Sequence, residues 1–399
     1  MKVLLKFPAT TPSPSLPIMK KPKLCPIPTD SPPSQQQQQQ QDPKPFILLL
    51  PNHITVEIFS KLPITTLIQC RCVCKSWRRS LSDPHFARYL LSLTPPSLLI
   101  KRCRSFYLVE PHVRNGAVIK LAEDPNYLTP YLDVVGSCNG LLAVRYNSGQ
   151  FYISNPILGE FLTLPRPRGR INCSFVCGFG FSPVSNVYKL VMASIPKKGS
   201  EGEVEVMVLT VGSGIWRGIG SSVYPCWIQS SGVYLNGVIH WIVGTGKLKL
   251  KLENAFVICA FDVESEHFEE LPLPPGSFRA GKVELELGVL GGCLTVNACY
   301  KNTISVWMMK DYGVSGSWTK EYDIKDKLRG TFRSHPNVPR VLRVTEEGHV
   351  LLFFKHELQV HSLGKRGLVR LEVDRMPLVV HGACVHIPSF VSLKHAIAG

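Results

Sequence analysis

Cysteine and histidine are the residue types in this chain whose spacing comes nearest to a chemical site. Cys70, Cys72 and Cys74 alternate at every second position, and Cys173 and Cys177 are four residues apart. A structural zinc site needs two such pairs at ligand spacing, and neither group has a matching second pair nearby. The spacing therefore predicts thiols that pack as small apolar side chains, with no resident metal.

Catalytic patterns are also missing from the sequence. In a strand, His381 and Cys384 would point to opposite faces, so these two side chains are not expected to share a metal. The chain has no G-x-S-x-G nucleophile turn and no HExxH metal pair. These patterns predict a protein that is not an enzyme and that uses no cofactor.

The composition is that of a folded protein, with 44% hydrophobic and 19% charged residues among 399. No apolar run approaches the roughly 20 residues of a membrane-spanning helix. Lys6 and Pro8 interrupt the apolar start too early for a secretion signal. We therefore expect a chain without membrane segments, located in the cytoplasm, the nucleus or both, whose thirteen cysteines are reduced.

The net charge of +16 is spread along the chain, with +4 in residues 1–46, +4 in residues 47–94 and +8 in the rest. Nucleic-acid binding requires a clustered basic stripe, so this distribution argues against it. A diffuse positive field instead favours acidic or phosphorylated partners.

Residues 1–46 form a Pro-rich segment that ends in Gln35–Gln41. A segment with so few apolar side chains cannot offset its chain entropy, which predicts a disordered tail. Lys20, Lys21 and Lys23 fit either a nuclear import signal or a solvated basic tail.

The pattern becomes helical from Pro51 onward. One apolar stripe contains Ile54, Ile58 and Leu62 and ends at Pro63. A second stripe runs from Leu67 to Leu81 and closes at Asp83-Pro84, with Thr65 or Thr66 as the expected N-cap. So small a helical unit carries more apolar surface than it can bury alone, which indicates a binding surface for a partner.

Short strands and turns replace the helical pattern after about Leu98. Apolar runs of five to eight residues are separated by Gly, Asn, Ser and Pro, as in "NGLLAVRY" and "EVEVMVLTV". The segments "FYISNPILGEFLTLPRP" and "FVICAFDVESEHFEELPLPP" share a strand–turn–strand plan with a Leu-Pro exit. At about 40–50 residues per blade, this region predicts a β-propeller of about six blades.

The helical segment resembles an F-box of the plant type. The resemblance rests on "LPNHITVEIFSKLP" and "RCVCKSW" in the expected order, followed by Asp83-Pro84 and Phe86. Asn52-His53 departs from the acidic residues usual in the family. The resemblance implies a three-helix module that binds a Skp-type adaptor and, through it, a cullin–RING ubiquitin ligase.

The later strands resemble the F-box-associated domain of plant F-box proteins. "SCNGLLAV", "SNPILGEFLTLP", "YLNGVIHWIV" and "FDVESEHFEELPLP" occur in that domain's order, with Ser154 where the family usually has Trp. The resemblance implies a kelch-like propeller that captures a target protein.

These observations predict an α+β chain in which the disordered tail 1–46 is followed by an F-box at 47–92 and a propeller at 95–395. We expect a substrate-recognition subunit of an SCF-type ligase; the alternatives are a ligase-independent scaffold and, less favoured, a propeller that binds or hydrolyses carbohydrate. The sequence does not define the target-binding residues. The predicted adaptor-binding residues are Leu50, Pro51, Ile54, Ile58, Leu62, Pro63, Leu67, Val73, Cys74 and Trp77.

Overall fold

A computed structural model gives the fold of most of the chain beyond the amino-terminal tail. The described residues are 50–102, 105–110, 118–121, 132–146, 149–167, 174–195, 204–222, 226–227, 231–244, 256–276, 283–300, 303–325, 339–362, 367–371 and 380–397. The predicted disordered tail, including Lys20, Lys21 and Lys23, lies outside these residues, as does Cys173.

Among the described residues, four helices precede the first strand, and a short fifth helix follows the last one. They are α1 (Asn52–Ser60), α2 (Ile64–Val73), α3 (Lys75–Leu81), α4 (Pro84–Leu93) and α5 (Leu393–Ile397). The chain divides into two compact units between Lys61 and Leu62. Helix α1 belongs to the first unit, and the other four helices and all described strands belong to the second.

Six antiparallel sheets follow the helices in chain order. Blade 1 contains β1 (Ser97–Arg102), β2 (Ser105–Val109) and β3 (Val118–Lys120); blade 2 contains β4 (Leu132–Cys138), β5 (Leu141–Tyr146), β6 (Phe151–Asn155) and β7 (Glu160–Thr163). Blade 3 contains β8 (Ser174–Ser182), β9 (Val187–Ile195), β10 (Val204–Thr210) and β11 (Trp216–Ser222).

The remaining strands complete the last three sheets. Blade 4 contains β12 (Cys226–Trp227), β13 (Val233–Leu235), β14 (Val238–Gly244), β15 (Phe256–Asp262) and β16 (Phe268–Leu271). Blade 5 contains β17 (Glu284–Leu290), β18 (Cys293–Tyr300), β19 (Thr303–Met309) and β20 (Trp318–Lys325); blade 6 contains β21 (Arg340–Val344), β22 (His349–Phe354), β23 (Glu357–Ser362) and β24 (Val369–Arg370).

The last strand, β25 (Gly382–His386), closes the ring by pairing with β1, with Leu98 opposite Val385 and Leu99 opposite Cys384. Contacts between the innermost strands run in turn through β25, β4, β8, β13, β17 and β21 and return to β25. His386 Nδ1 lies 3.0 Å from Ser137 Oγ on β4, which joins the closing strand to the next blade. The prediction of a helical region followed by an all-β propeller of six blades is confirmed.

Apolar side chains fill the junctions between neighbouring blades. Trp241 on β14 is 1% exposed and donates its indole N–H to the carbonyl of Cys177 on β8, at 3.2 Å. Its ring lies directly against Gly178 and Gly232, where a Cβ atom would overlap it. The two glycines thus provide the space for the largest fully buried side chain.

A second sequence pattern, a tryptophan just past a Gly-Ser turn in "GSGIWRGIG" and "SGSWTKEYD", meets the Leu-Pro exits at two blade junctions. Trp216 on β11 donates its indole N–H to the Pro165 carbonyl at 2.8 Å, and Trp318 on β20 donates to the Pro272 carbonyl at 3.0 Å. Each proline belongs to the Leu-Pro exit of the preceding blade. The repeated Trp and Leu-Pro patterns therefore form one inter-blade hydrogen bond between blades 2 and 3 and another between blades 4 and 5.

In the part of the chain that the structure describes, no group of three His, Cys, Asp or Glu side chains is arranged to hold a metal ion. None of the described helices has the length and apolarity to cross a membrane.

Because His240 on β14 is buried, we expect the folded chain to lose stability as pH falls. Its Nδ1 lies 3.0 Å from the Val233 carbonyl, which can only accept, so Nδ1–H donates and Nε2 accepts from the Tyr312 hydroxyl at 2.7 Å. Burial lowers the pKa of His240 to about 4, whereas an unfolded histidine titrates near about 6.5. The unfolded chain therefore gains a proton first as pH falls, and His240 lowers the free energy of unfolding by about 2 kcal/mol at about pH 5.

Urea unfolding at several pH values between these two pKa values measures this effect. A His240→Asn variant is expected to show a pH slope that is shallower by about one proton. Equal slopes for the variant and the parent chain would contradict the assignment, whatever the stability of the variant at neutral pH.

Candidate functional site

Helix α2 is fixed to the propeller through its amino end. Glu110, directly after β2, accepts hydrogen bonds from the Thr65 backbone N–H at 3.3 Å and from the Thr65 hydroxyl at 3.0 Å. A carboxylate at a helix amino terminus satisfies an unpaired N–H and interacts favourably with the helix dipole. The N-cap residue is Pro63, so the prediction of Thr65 or Thr66 as the cap is wrong. The capping carboxylate comes from a residue 45 positions later.

Helices α2 and α3 meet at a break inside the second predicted stripe. Cys74 is extended, with φ −154° and ψ 165°, and its thiol accepts from the Trp77 N–H at 3.4 Å as the N-cap of α3. Arg78 Nε donates to the Arg71 carbonyl at 3.2 Å, across the break. The stripe from Leu67 to Leu81 is therefore two helices, because Cys74 leaves the helical conformation and supplies a cap.

Helix α4 was not expected from the apolar stripes. Asp83 Oδ1 accepts from the Phe86 N–H at 2.9 Å, and Pro84 occupies the first turn. Asp followed by Pro is a helix-start signal as well as a stop signal, and it could have revealed this helix. Tyr89 and Leu93 on α4 are about half exposed, which adds apolar surface that the sequence interpretation missed.

The carboxyl-terminal segment connects α2 to blade 2. The Arg71 guanidinium lies over the Phe390 ring, 5.4 Å from its centroid, and burial lowers the pKa of Arg71. Glu160 on β7 accepts from the Ser392 hydroxyl at 3.0 Å and from the Leu393 N–H at 2.7 Å. Helix α2 therefore contacts the propeller at both β2 and the carboxyl-terminal segment.

Asn155 holds that segment with all of its amide hydrogen-bonding capacity. Its side chain is 0% exposed and donates to the carbonyls of Ser389 at 3.0 Å and Val391 at 2.8 Å. Its oxygen accepts from the N–H groups of Ile157 and Leu158 at 2.9 and 3.2 Å. These four hydrogen bonds, which we call the Asn155 clamp, join the Asn155-Pro156 turn to the carboxyl-terminal segment.

The structure places most of the predicted adaptor-binding residues at least partly in solvent. In the first unit, Pro51 and Ile58 are exposed, and Leu50 and Ile54 are half-buried. In the second unit, exposed or half-buried side chains are those of Leu62, Pro63, Val73, Cys74 and Trp77. Val73, at the end of α2, is 59% exposed, compared with 37% for Ile58.

Leu67 is the exception among the ten, because its side chain is 0% exposed. A side chain without accessible surface cannot contact a partner in this conformation. We correct its assignment accordingly: Leu67 packs the interior of the second unit, as does Leu81 from the same predicted stripe.

Helices α2, α3 and α4 carry a net positive charge. Residues 62–94 contain five Arg or Lys and one Asp, a net charge of +4. Lys75, Arg78, Arg79 and Arg88 are exposed, and Asp83 caps α4. An exposed apolar side chain on a helical region with exposed cations favours a partner surface that combines apolar contacts with acidic residues.

Comparisons with known proteins match both regions. A family model described as F-box-like matches residues 47–91, and one described as F-box associated beta propeller domain matches residues 105–362. The chain therefore combines a helical module of the F-box class with an F-box-associated propeller.

Two plant proteins from Arabidopsis thaliana are similar over most of their length. F-box protein At3g07870 is 30% identical over 78% of this chain and 84% of its own length. F-box/kelch-repeat protein At3g23880 is 27% identical over 68% of this chain and 78% of its own length. This chain belongs to the plant F-box proteins with an F-box-associated propeller.

Proposed function

We propose that the chain is the substrate-recognition subunit of an SCF-type cullin–RING ubiquitin ligase. In this function, the helical region binds a Skp-type adaptor and the propeller binds a target protein. The observation that carries the proposal is the exposed Val73 within the RCVCKSW motif, on helices that are anchored to the propeller. A large exposed apolar side chain on a basic helical region supports a docking role.

The proposed contribution to ubiquitination is proximity. A receptor that holds a target near a charged ubiquitin carrier raises the effective concentration of the target lysines. The chain then needs to form no bond itself, which fits the absence of a catalytic pattern in the sequence. The anchored α2 supports this proposal, because a fixed helix defines where the target lies relative to the adaptor.

Val73→Asp is expected to reduce co-purification of a Skp-type adaptor at least about tenfold, because the interface would bury an unpaired carboxylate. The measurement is pull-down of the adaptor with the purified full chain. Circular dichroism and the unfolding midpoint should stay unchanged, since position 73 is 59% exposed.

Val184→Asp is the matched control, because Val184 is 79% exposed in the β8–β9 turn. It should bind the adaptor as the parent chain does. The Leu50→Ala, Pro51→Ala double variant examines the segment before α1 in the same assay and is expected to abolish binding. Full binding by both the Val73 and the Leu50–Pro51 variants would refute the docking assignment, and adaptor binding without cullin recruitment would favour the scaffold alternative.

A further inference from the structure

The hairpin between β22 and β23 has an unusual turn sequence. Phe354 pairs with Glu357, so Lys355 and His356 form a two-residue loop, with φ of 48° and 62°. Such loops need positive φ at both positions, which favours Asn and Gly. Positive φ strains a Lys or His residue, because its Cβ atom then lies too close to the following carbonyl oxygen.

The other two-residue hairpins that the structure describes follow the preference. Their loops are Asn139-Gly140, Asn236-Gly237 and Gly291-Gly292. Blade 6 therefore places two strained, exposed basic residues at a position where these three described loops have Asn-Gly or Gly-Gly. Residues held in unfavourable backbone conformations cluster at functional sites, where the strain is retained for binding.

The strained turn lies beside two more basic side chains at the junction of blades 6 and 1. The rings of His356 and His381 are 6.4 Å apart between centroids. The His381 N–H donates to the Lys101 carbonyl at 2.8 Å, which places His381 beside the exposed Arg102 at the end of β1. Lys355 is held over the Phe354 ring, with Nζ 5.1 Å from the centroid. The basic junction is the set Arg102, Lys355, His356 and His381.

The carboxylates near the basic junction already have cationic partners. The neighbouring carboxylate on β23, Glu357, is paired with Arg370 at 3.3 Å. On β21, Arg340 is paired with Glu286. Burial and the cations Lys101, His356 and Arg102 lower the pKa of His381. An anion bound beside His381 would offset these cations and favour its protonated form.

The basic junction is also at the opposite end of the propeller from helix α2. It lies at the end of β1 and the start of β25, whereas Glu110 and the carboxyl-terminal segment, which contact α2, follow the other ends of these sheets. A molecule at the basic junction would thus leave the α2 side of the propeller open.

We propose that the basic junction binds an anionic group, phosphoryl or carboxylate, in a segment of the target protein. This proposal rests on the proposed function as a substrate receptor. The anion accepts charge-assisted hydrogen bonds from Arg102 and Lys355, and His381 strengthens the site when it is protonated. Because the pKa of His381 is lowered, binding is expected to tighten as pH falls below about 6.5.

The test uses degenerate peptide pools with a fixed phosphoserine, glutamate or serine, retained on the immobilised full chain. The phosphoserine pool, the glutamate pool or both should be retained over the serine pool, and their ratio identifies the source of the anion. Replacing the turn by Asn-Gly, in a Lys355→Asn, His356→Gly variant, should reduce that retention about tenfold. The same variant should be at least as stable as the parent chain, because the new turn relieves the strain.

The matched control is Lys394→Asn, His395→Gln, which removes the same pair of basic side chains from exposed positions on α5. It should retain the peptide pools as the parent chain does. Equal retention of all three pools, or undiminished retention by the Asn-Gly variant, would overturn the proposal, as would preferential binding of a single-stranded oligonucleotide over the peptides. Adaptor pull-down with each variant separates this outcome from failure of the proposed function, since the Asn-Gly variant should bind the adaptor normally.

Discussion

Asn155→Ala is expected to lower the free energy of unfolding by about 3–5 kcal/mol, because it removes the partner of two buried carbonyl groups and of two part-buried N–H groups. Two of them are the carbonyls of Ser389 and Val391, so the carboxyl-terminal segment should also detach locally. Urea unfolding gives the global loss. Hydrogen exchange of residues 389–397 gives the local one, as faster exchange under native conditions.

Asn155→Asp tests the donated and the accepted hydrogen bonds of the Asn155 clamp separately. Aspartate can still accept from Ile157 and Leu158 but cannot donate, and its charge faces the two carbonyls. In the Asn155→Asp variant, backbone hydrogen exchange should therefore be faster in the carboxyl-terminal segment, while the N–H groups of the turn at Ile157 stay protected. Ser392→Ala, which removes a half-buried hydroxyl from Glu160, should cost only about 1 kcal/mol. If Asn155→Ala lowered the free energy of unfolding by less than about 1 kcal/mol, the stabilising role of the Asn155 clamp would be contradicted.

Trp241→Ala is expected to cost about 3–5 kcal/mol, since it empties the space between blades 3 and 4 and removes the donor to Cys177. Gly178→Ala should be destabilising for the converse reason, because its new methyl group overlaps the indole ring. Both losses are measured by urea unfolding of the full chain.

A double-mutant cycle distinguishes this steric explanation from two unrelated defects. Trp241→Phe removes part of the ring that Gly178 faces, so Gly178→Ala should cost less in that background than in the parent chain. Strict additivity of the two changes would show that the glycine is needed for another reason. Gly218→Ala is the control on the propeller surface, because a Cβ atom there meets nothing within 4 Å.

The propeller could be predicted from sequence because its signals are local. Each blade repeats short apolar runs with turn residues, and "SCNGLLAV" and "YLNGVIHWIV" contain the Asn-Gly turns that the structure shows. The Trp and Leu-Pro patterns are recognisable as a repeat, but their meeting across blade junctions depends on which strands become neighbours. That information is absent from any one repeat unit.

The packing of the helical region, in contrast, could not be predicted from the sequence, because it depends on contacts with distant residues. The apolar spacing identifies the helical stripes, but it does not show that Leu67 faces the interior, because both sides of a short helix can be covered by a later domain. The partners that fix α2 are Glu110, which is 45 positions from Thr65, and Phe390, near the carboxyl terminus. Contacts this distant leave no periodic signal in the helix itself, so the RCVCKSW motif is recognisable in the sequence and the attachment of its helices is not.

Closure of blade 1 by β25 has a consequence for how the molecule is made. The ring takes β1 from before the other five blades and β25 from after them, so a growing chain on the ribosome cannot close the ring until β25 has been synthesised. A message that stops before β25 would encode the preceding helices with an open array of sheets. Translation of β25 is therefore the step at which a closed propeller becomes distinct from a truncated one.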